Sequence, residues 1–264
     1  KLVKNLMEDA QTTDRWYTAV TMGRSAGHLA LGIAKAAGAT LAIIPEEFGI
    51  EKNNKISLCH VCDIYETAII KRRAMGYNSG VLVIAEGIAE FLKKEDLQKI
   101  MNTSSQECDF GHIQLADVEL GKIIKQEVEK RFHKRGEKFR IITMDIGYVL
   151  RCTDPNPFDQ EYTRDLGYSA FEYLMNEKET ENAMICVNDG ELQPLYFKDI
   201  MDPETHKTKV RRVDIKGRLY KIACNYMIRL EKKDLQNKDL ITKMATIAKM
   251  TPEEFIDRYG YIVS

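Results

Sequence analysis

The chain has 264 residues with 39 basic and 40 acidic side chains, a formal net charge of -1, which excludes a broad electrostatic footprint for nucleic acid or an anionic membrane surface. That length suits one large α/β domain or two smaller ones, and no apolar run has the length of a membrane span or the pattern of a signal peptide. Cys59, Cys62, Cys108, Cys152, Cys186 and Cys224 lack the spacing of a secreted disulfide scaffold, so a reducing cytoplasm is the expected compartment.

Residues 1–13 read as the end of a helix, with Leu2, Leu6, Met7 and Ala10 near helical spacing. Trp16 to Met22 reads as a strand, and Ser25 to Ala37 as a small-residue helix stopped at Gly38. Between them, Gly23 and Arg24 place a guanidinium beside a helix N-terminus at a strand's C-terminal end, where α/β sheets bind anions. Arginine grips phosphate there with two parallel hydrogen bonds, whereas lysine offers a point charge. Thr40 to Ile44 reads as a short buried strand ended by Pro45, and Glu46 and Glu47 read as a solvated acidic turn. Cys59-His60-Val61-Cys62 has metal-like spacing, but no second Cys-x-x-Cys completes four ligands, so a structural or incidental role is expected.

A helix follows from about Asp63 to Met75, with Ile64, Ala68 and Ile69 on one face. Lys71, Arg72 and Arg73 near its end complement the helix dipole. Gly76 and Gly80 bracket the turn into a strand, Val81 to Ala85, that ends at Glu86-Gly87. Asn102 to Asp109 reads as a loop, Leu115 to Phe132 as a long amphipathic helix, and Arg140 to Met144 as a strand leading into Gly147-Tyr148-Val149-Leu150-Arg151. Asp154, Pro155, Asn156 and Pro157 impose a loop before a helix from about Asp159 to Met175. Met184 to Asn188 and Gln193 to Phe197 read as two strands joined at Asp189-Gly190. The tail is charged and mixed up to Thr251-Pro-Glu-Glu254, a capping box that opens a last short helix. This strand–helix–strand rhythm predicts an α/β fold with a mainly parallel sheet flanked by helices.

Met22-Gly23-Arg24 with Gly27, the Leu-Ala-Leu at 29–31, and Pro45-Glu46 resembles the phosphofructokinase family, most of all the branch that uses pyrophosphate as donor. Val83-Ile84-Ala85-Glu86-Gly87 and Gly147-Tyr148-Val149-Leu150-Arg151 with Asp159 match that family in the right order, and the resemblance spans about residues 1 to 200. It implies a sugar-phosphate-binding domain at residues 1–150 and a segment at 151–264 that returns to the donor domain and then to the sheet. The implied reaction moves a phosphoryl group from pyrophosphate to the 1-hydroxyl of fructose 6-phosphate, giving fructose 1,6-bisphosphate, with Mg2+. ATP is the alternative donor within the class. A non-catalytic phosphosugar-binding regulatory subunit is the alternative of another class, and a generic α/β domain with chance motifs is a third.

By that resemblance Arg24 is the catalytic residue, bridging the moving phosphoryl group, while Met22 and Gly23 line the sugar. Glu86 binds sugar hydroxyls, and Tyr148 and Arg151 hold the 6-phosphate. Tyrosine at this position is usual in the pyrophosphate branch, where ATP-dependent relatives commonly have histidine. Arg15 reaches a neighbouring subunit's phosphate, which implies a homo-oligomer with shared active sites. Arg140 is the nearest candidate for a second such cation, displaced from the family spacing. Without the family, Glu86 reads as a solvent-facing strand end, Tyr148 as half-buried packing and Arg151 as a surface ion pair, and an ordinary loop arginine is the alternative for Arg15. His28, His112 and His133 show no nucleophile or metal partners in sequence. The family's Gly-Gly-Asp loop for donor phosphates and magnesium, and its Thr-Ile-Asp base motif, do not occur among these residues, which begin at Lys1. The expectation is therefore a C-terminal portion that is inactive alone, with Mg2+ ligands in the family's N-terminal half.

Overall fold

The computed structural model describes residues 1–50, 54–96, 119–176, 181–204 and 206–263. The expected loop at Asn102–Asp109, the first residues of the expected helix at Leu115–Phe132, Cys108 and His112 lie outside the described residues. The chain divides into two units, one of residues 1–147 with 212–264 and the other of residues 148–211.

The first unit is built on four parallel strands, β1 (Trp16–Thr21), β2 (Leu41–Ile43), β3 (Gly80–Ala85) and β4 (Ile141–Ile146), in the order β2-β3-β1-β4. Every residue of β1, β2 and β3 is buried, as strands covered on both faces require. Helices α1 (Leu2–Thr13) and α2 (His28–Ala37) cover one face; α3 (Leu58–Ala74) covers the other. Strand alternation divides β1 between them: the Tyr17 hydroxyl bonds Asp9 of α1, while the Thr18 hydroxyl meets the Tyr65 hydroxyl of α3 at 3.3 Å. After β3 come α4 (Ile88–Phe91) and α5 (Leu120–Lys134), and α5 packs beside α3.

Sequence spacing starts two helices in the wrong place. Helix α2 begins at His28 rather than Ser25, because Gly23 and Arg24 take positive φ angles of 142° and 24° and turn the chain first. Helix α3 begins at Leu58 rather than Asp63, so Cys59-His60-Val61-Cys62 lies within its first turns. Cys62 is fully buried and burial pushes its thiol, like that of Cys59, above the ordinary value. Among the described residues no group of three or more His, Cys, Asp or Glu side chains is placed to hold a metal. Asp63 and Glu66 of α3 are buried against Arg131 of α5, at 2.5 and 2.9 Å, and Arg135 also pairs with Glu66.

The second unit opens with α6 (Tyr148–Arg151) and α7 (Pro157–Met175). Asn156 caps α7, accepting from Asp159 N at 3.0 Å with Pro157 at the first helical position. The two strands expected over 184–197 are instead four two-residue strands, β5 (Ala183–Met184), β6 (Val187–Asn188), β7 (Glu191–Leu192) and β8 (Leu195–Tyr196). They pair as β5 with β8 and β6 with β7, around Asp189 and Gly190 at φ 52° and 82°, the left-handed pair that a tight hairpin turn requires. Helix α8 (Phe197–Ile200) follows.

Residues 212–264 return to the first unit as α9 (Arg218–Asn225), α10 (Lys232–Gln236), α11 (Lys238–Ala248) and α12 (Pro252–Tyr259). Helix α11 buries Ile241, Met244, Ala245 and Ala248 in the core it shares with α3. The expected box opens α12: Thr251 Oγ1 accepts from Glu254 N at 3.2 Å, and Glu254 accepts from Thr251 N at 2.8 Å. Among the described residues no helix is long and apolar enough to cross a membrane.

Candidate functional site

Parallel pairing decides which residues meet. Thr21 of β1 lies opposite Ala85 of β3 and Ile146 of β4, so three chain exits emerge side by side at the sheet's C-terminal edge. They carry Met22-Gly23-Arg24, Glu86-Gly87 and Gly147. Such an edge is where open α/β sheets hold ligands. Met22 N donates to Ile146 O at 3.3 Å and Glu86 N to Thr21 O at 2.9 Å, extending the ladder one residue past each strand.

Glu86 faces the neighbouring turn. Its Oε1 accepts from Gly23 N at 3.2 Å and Arg24 N at 3.3 Å, while Oε2 takes no hydrogen bond among the described residues. Arg24 is exposed, with Met22 and Gly23 half-buried beneath it. Its left-handed φ of 24° costs a non-glycine residue about 1–2 kcal/mol. That cost is offset by the Glu86 bonds and by Ala26 N donating to Gly23 O at 2.9 Å. Gly87 matters for a steric reason: the Arg24 carbonyl oxygen occupies the space where a Cβ at 87 would stand.

The acidic pair after Pro45 is a correction to the sequence reading. Glu46 is 3% exposed, not solvated. Its Oε1 accepts from Gly27 N and from Val213 N, both at 2.9 Å. Glu47 pairs with Arg229 at 2.8 Å, and burial still pushes its carboxyl above the ordinary value. Both carboxylates are covered by the returning segment that starts at Arg212. A glycine at 27 was the one local sign of a close approach, because a Cβ there would stand 2.8 Å from Glu46 Oε2 and collide with Ile44.

Arg15 is not brought to this edge. It precedes β1 at the N-terminal end, about 20 Å away along a six-residue strand. It is exposed, and its carbonyl accepts from Gly80 N at 3.1 Å. The register of β1 against β4 sets Arg140, also exposed, beside it, since Trp16 lies opposite Ile141. Tyr148 and Arg151 belong to the second unit. Tyr148 is 75% exposed rather than half-buried, and the Arg151 guanidinium lies 5.8 Å from its ring centroid.

The phosphofructokinase family model matches residues 1–174. Over 99% of its length the chain is 47% identical to the pyrophosphate–fructose 6-phosphate 1-phosphotransferase of Thermotoga maritima, covering 62% of that protein. It is 41% identical to the protein of the same name from Naegleria fowleri, again over 99% of this chain and covering 60% of the relative. The chain thus spans about three fifths of the length of these relatives. A more distant relative, the ATP-dependent 6-phosphofructokinase of a Sulfurihydrogenibium species, is 24% identical over 80% of this chain and 53% of its own. The crystal structure of Pichia pastoris phosphofructokinase in the T-state shares the fold at a TM-score of 0.57 and 14% identity, covering 87% of this chain and 24% of that one.

Proposed function

Because the chain belongs to the phosphofructokinase family, we propose that it forms part of a phosphotransferase that moves a phosphoryl group from pyrophosphate to the 1-hydroxyl of fructose 6-phosphate. The observation that carries this reading is the 47% identity, over nearly the whole chain, to a Thermotoga maritima protein of that name. The sheet-edge geometry supports it. Phosphoryl transfer depends mostly on positioning and on charge stabilisation, and an exposed arginine on a braced turn supplies both. Arg24 bridges the transferred group; Met22 and Gly23 line the sugar. Glu86, with Oε1 committed to the turn, accepts sugar hydroxyls at Oε2. Tyr148 and Arg151 hold the 6-phosphate by phenolic and guanidinium donors.

Arg15, at the opposite edge of its own sheet, serves the site of a second copy, with Arg140 beside it. The working enzyme is then a homo-oligomer with shared sites. Mg2+ accompanies the pyrophosphate, with its ligands expected in the family's N-terminal half. The scattered cysteines favour a cytoplasmic enzyme.

The test is turnover of the complete enzyme with pyrophosphate and with ATP. Pyrophosphate-dependent formation of fructose 1,6-bisphosphate is expected, and Arg24→Ala lowers kcat about a hundredfold or more. Turnover with ATP alone overturns the donor assignment, and an unchanged kcat removes Arg24 from the chemistry. The 264-residue polypeptide by itself, which contains neither Gly-Gly-Asp nor Thr-Ile-Asp, is expected to show no turnover. Robust turnover by that intact polypeptide refutes this.

A further inference from the structure

Two carboxylates brace the turn that presents Arg24. Glu86 takes the N–H groups of Gly23 and Arg24 at its start. Glu46 takes the Gly27 N–H at its end, through Oε1 at 2.9 Å and Oε2 at 3.2 Å. A carboxylate this deeply buried must be compensated by hydrogen bonds, and backbone donors provide them. Gly27 is also the N-cap of α2, whose helix dipole favours a negative charge at that end.

The same Oε1 accepts from Val213 N at 2.9 Å, so one oxygen joins the turn to the returning C-terminal segment. That segment is itself fastened beside β2. Ile228 N donates to Thr40 O at 2.8 Å, and Arg229 bonds both Glu47 and the carbonyl of Ala42. Three residues, Arg24 to Ala26, lie between Glu86's first contact at Gly23 and Glu46's at Gly27, and Arg24 is held among them at its left-handed φ. A residue held in such a conformation relaxes once the structure around it lets go.

We propose that Glu46 is a positioning residue for phosphoryl transfer: it ties the segment beginning at Val213 to the Arg24 turn and sets where the guanidinium stands. The proposal rests on the assignment of Arg24 to the transferred phosphoryl group. Misplacing a reacting contact by about 1 Å costs about a hundredfold in rate, whereas the main chain of Glu86 is anchored separately, its N–H donating to Thr21 O at 2.9 Å.

The experiment compares Glu46→Ala, Glu46→Gln and wild type in the complete enzyme. Glu46→Ala is expected to speed hydrogen exchange at Gly27 and Val213 together, and at Gly23 and Arg24 as the turn loosens. It is expected to lower kcat about tenfold or more with the KM for fructose 6-phosphate within about threefold. Glu46→Gln keeps an acceptor at Oε1 and is expected to restore kcat to within about threefold of wild type. Should Glu46→Ala not fold, Glu46→Asp, which keeps the charge but shortens the reach, is expected to show the same fall in kcat.

Unchanged exchange at Gly23 and Arg24 overturns the proposal whether or not the enzyme turns over. Faster exchange with an unchanged kcat per folded molecule also overturns it, leaving Glu46 a structural tie. A wild-type enzyme that shows no turnover refutes the phosphotransferase reading instead, and the exchange arm still decides whether Glu46 holds the turn.

Discussion

Replacing Gly87 with alanine tests the geometry of the Arg24 turn from the outside. A Cβ at this position would stand 1.4 Å from the Arg24 carbonyl oxygen and 2.6 Å from its carbonyl carbon. Real Cβ atoms approach no nearer than 3.0 Å, so the two backbones must part by about 1.6 Å. The obstructing atoms are main chain, so no side-chain rotation relieves them. Overpacking of this kind costs about 1–3 kcal/mol, a fall of about 2–12 °C in Tm for a chain of this size. The displacement exceeds the 1 Å that is worth about a hundredfold in a positioned reaction. Steady-state turnover of the complete Gly87→Ala enzyme is therefore expected to fall about a hundredfold, with thermal unfolding followed in parallel. The matched control is Gly32→Ala, an exposed position in the middle of α2 with nothing within 4 Å of its would-be Cβ. It is expected to leave kcat unchanged and to add about 0.4–1 kcal/mol of stability. If Gly87→Ala keeps kcat within about threefold of wild type, the reasoning that ties the β3 exit to Arg24 is wrong.

Arg131→Met leaves the buried Asp63 and Glu66 without their shared guanidinium, and breaking a buried pair in this way costs about 3–5 kcal/mol. Arg135 still reaches Glu66 and Tyr261 still donates to Asp63 at 2.5 Å, which points to the lower end, about 3 kcal/mol. Calorimetry should show a Tm lower by about 6–12 °C, and a fall below about 2 °C contradicts the argument. His60 sits between the rings of Phe48 and Tyr261, each centroid 5.1 Å away, and burial lowers its pKa below 6.5. The folded state then binds fewer protons than the unfolded one just below pH 6.5, so stability from this group is present above that value and is lost as pH falls through it. Wild type is expected to lose more Tm between about pH 7 and pH 5 than His60→Gln does; equal slopes would sink the assignment.

The alternation of strand and helix was legible because β3 is a continuous apolar run and β1 is broken only by Thr18 and Thr21, each closed by turn residues. Helix α3 hid its first turn for the opposite reason. It packs against the sheet, α5 and α11 and is buried almost all round, so no polar stripe marks where its period begins. Its companion α11 was legible in principle, since Ile241, Met244, Ala245 and Ala248 recur at helical spacing inside the charged tail. The environment of Glu46 was not, because its burial depends on Val213, a partner 167 residues away. A carboxylate after a strand looks solvated until the segment that covers it is known.

The candidate site divides along the same line. The sequence reading put Arg24 and Glu86 each at the C-terminal end of a strand, and the parallel register of β1 against β3 sets those two ends side by side. The relation of Arg15 to Arg140 is also a product of register, since each immediately precedes one of two adjacent parallel strands. That relation is legible only once β1 and β4 are known to be neighbours, because the residues are far apart in sequence. One sheet therefore presents an arginine turn at its C-terminal edge and two arginines at its N-terminal edge, a strand's length apart. No side-chain motion within one copy spans about 20 Å, since an arginine reaches only about a third of that. On the proposed chemistry, the cations at the N-terminal edge serve the C-terminal edge of another copy. On that proposal, oligomerisation completes the site rather than adding to it.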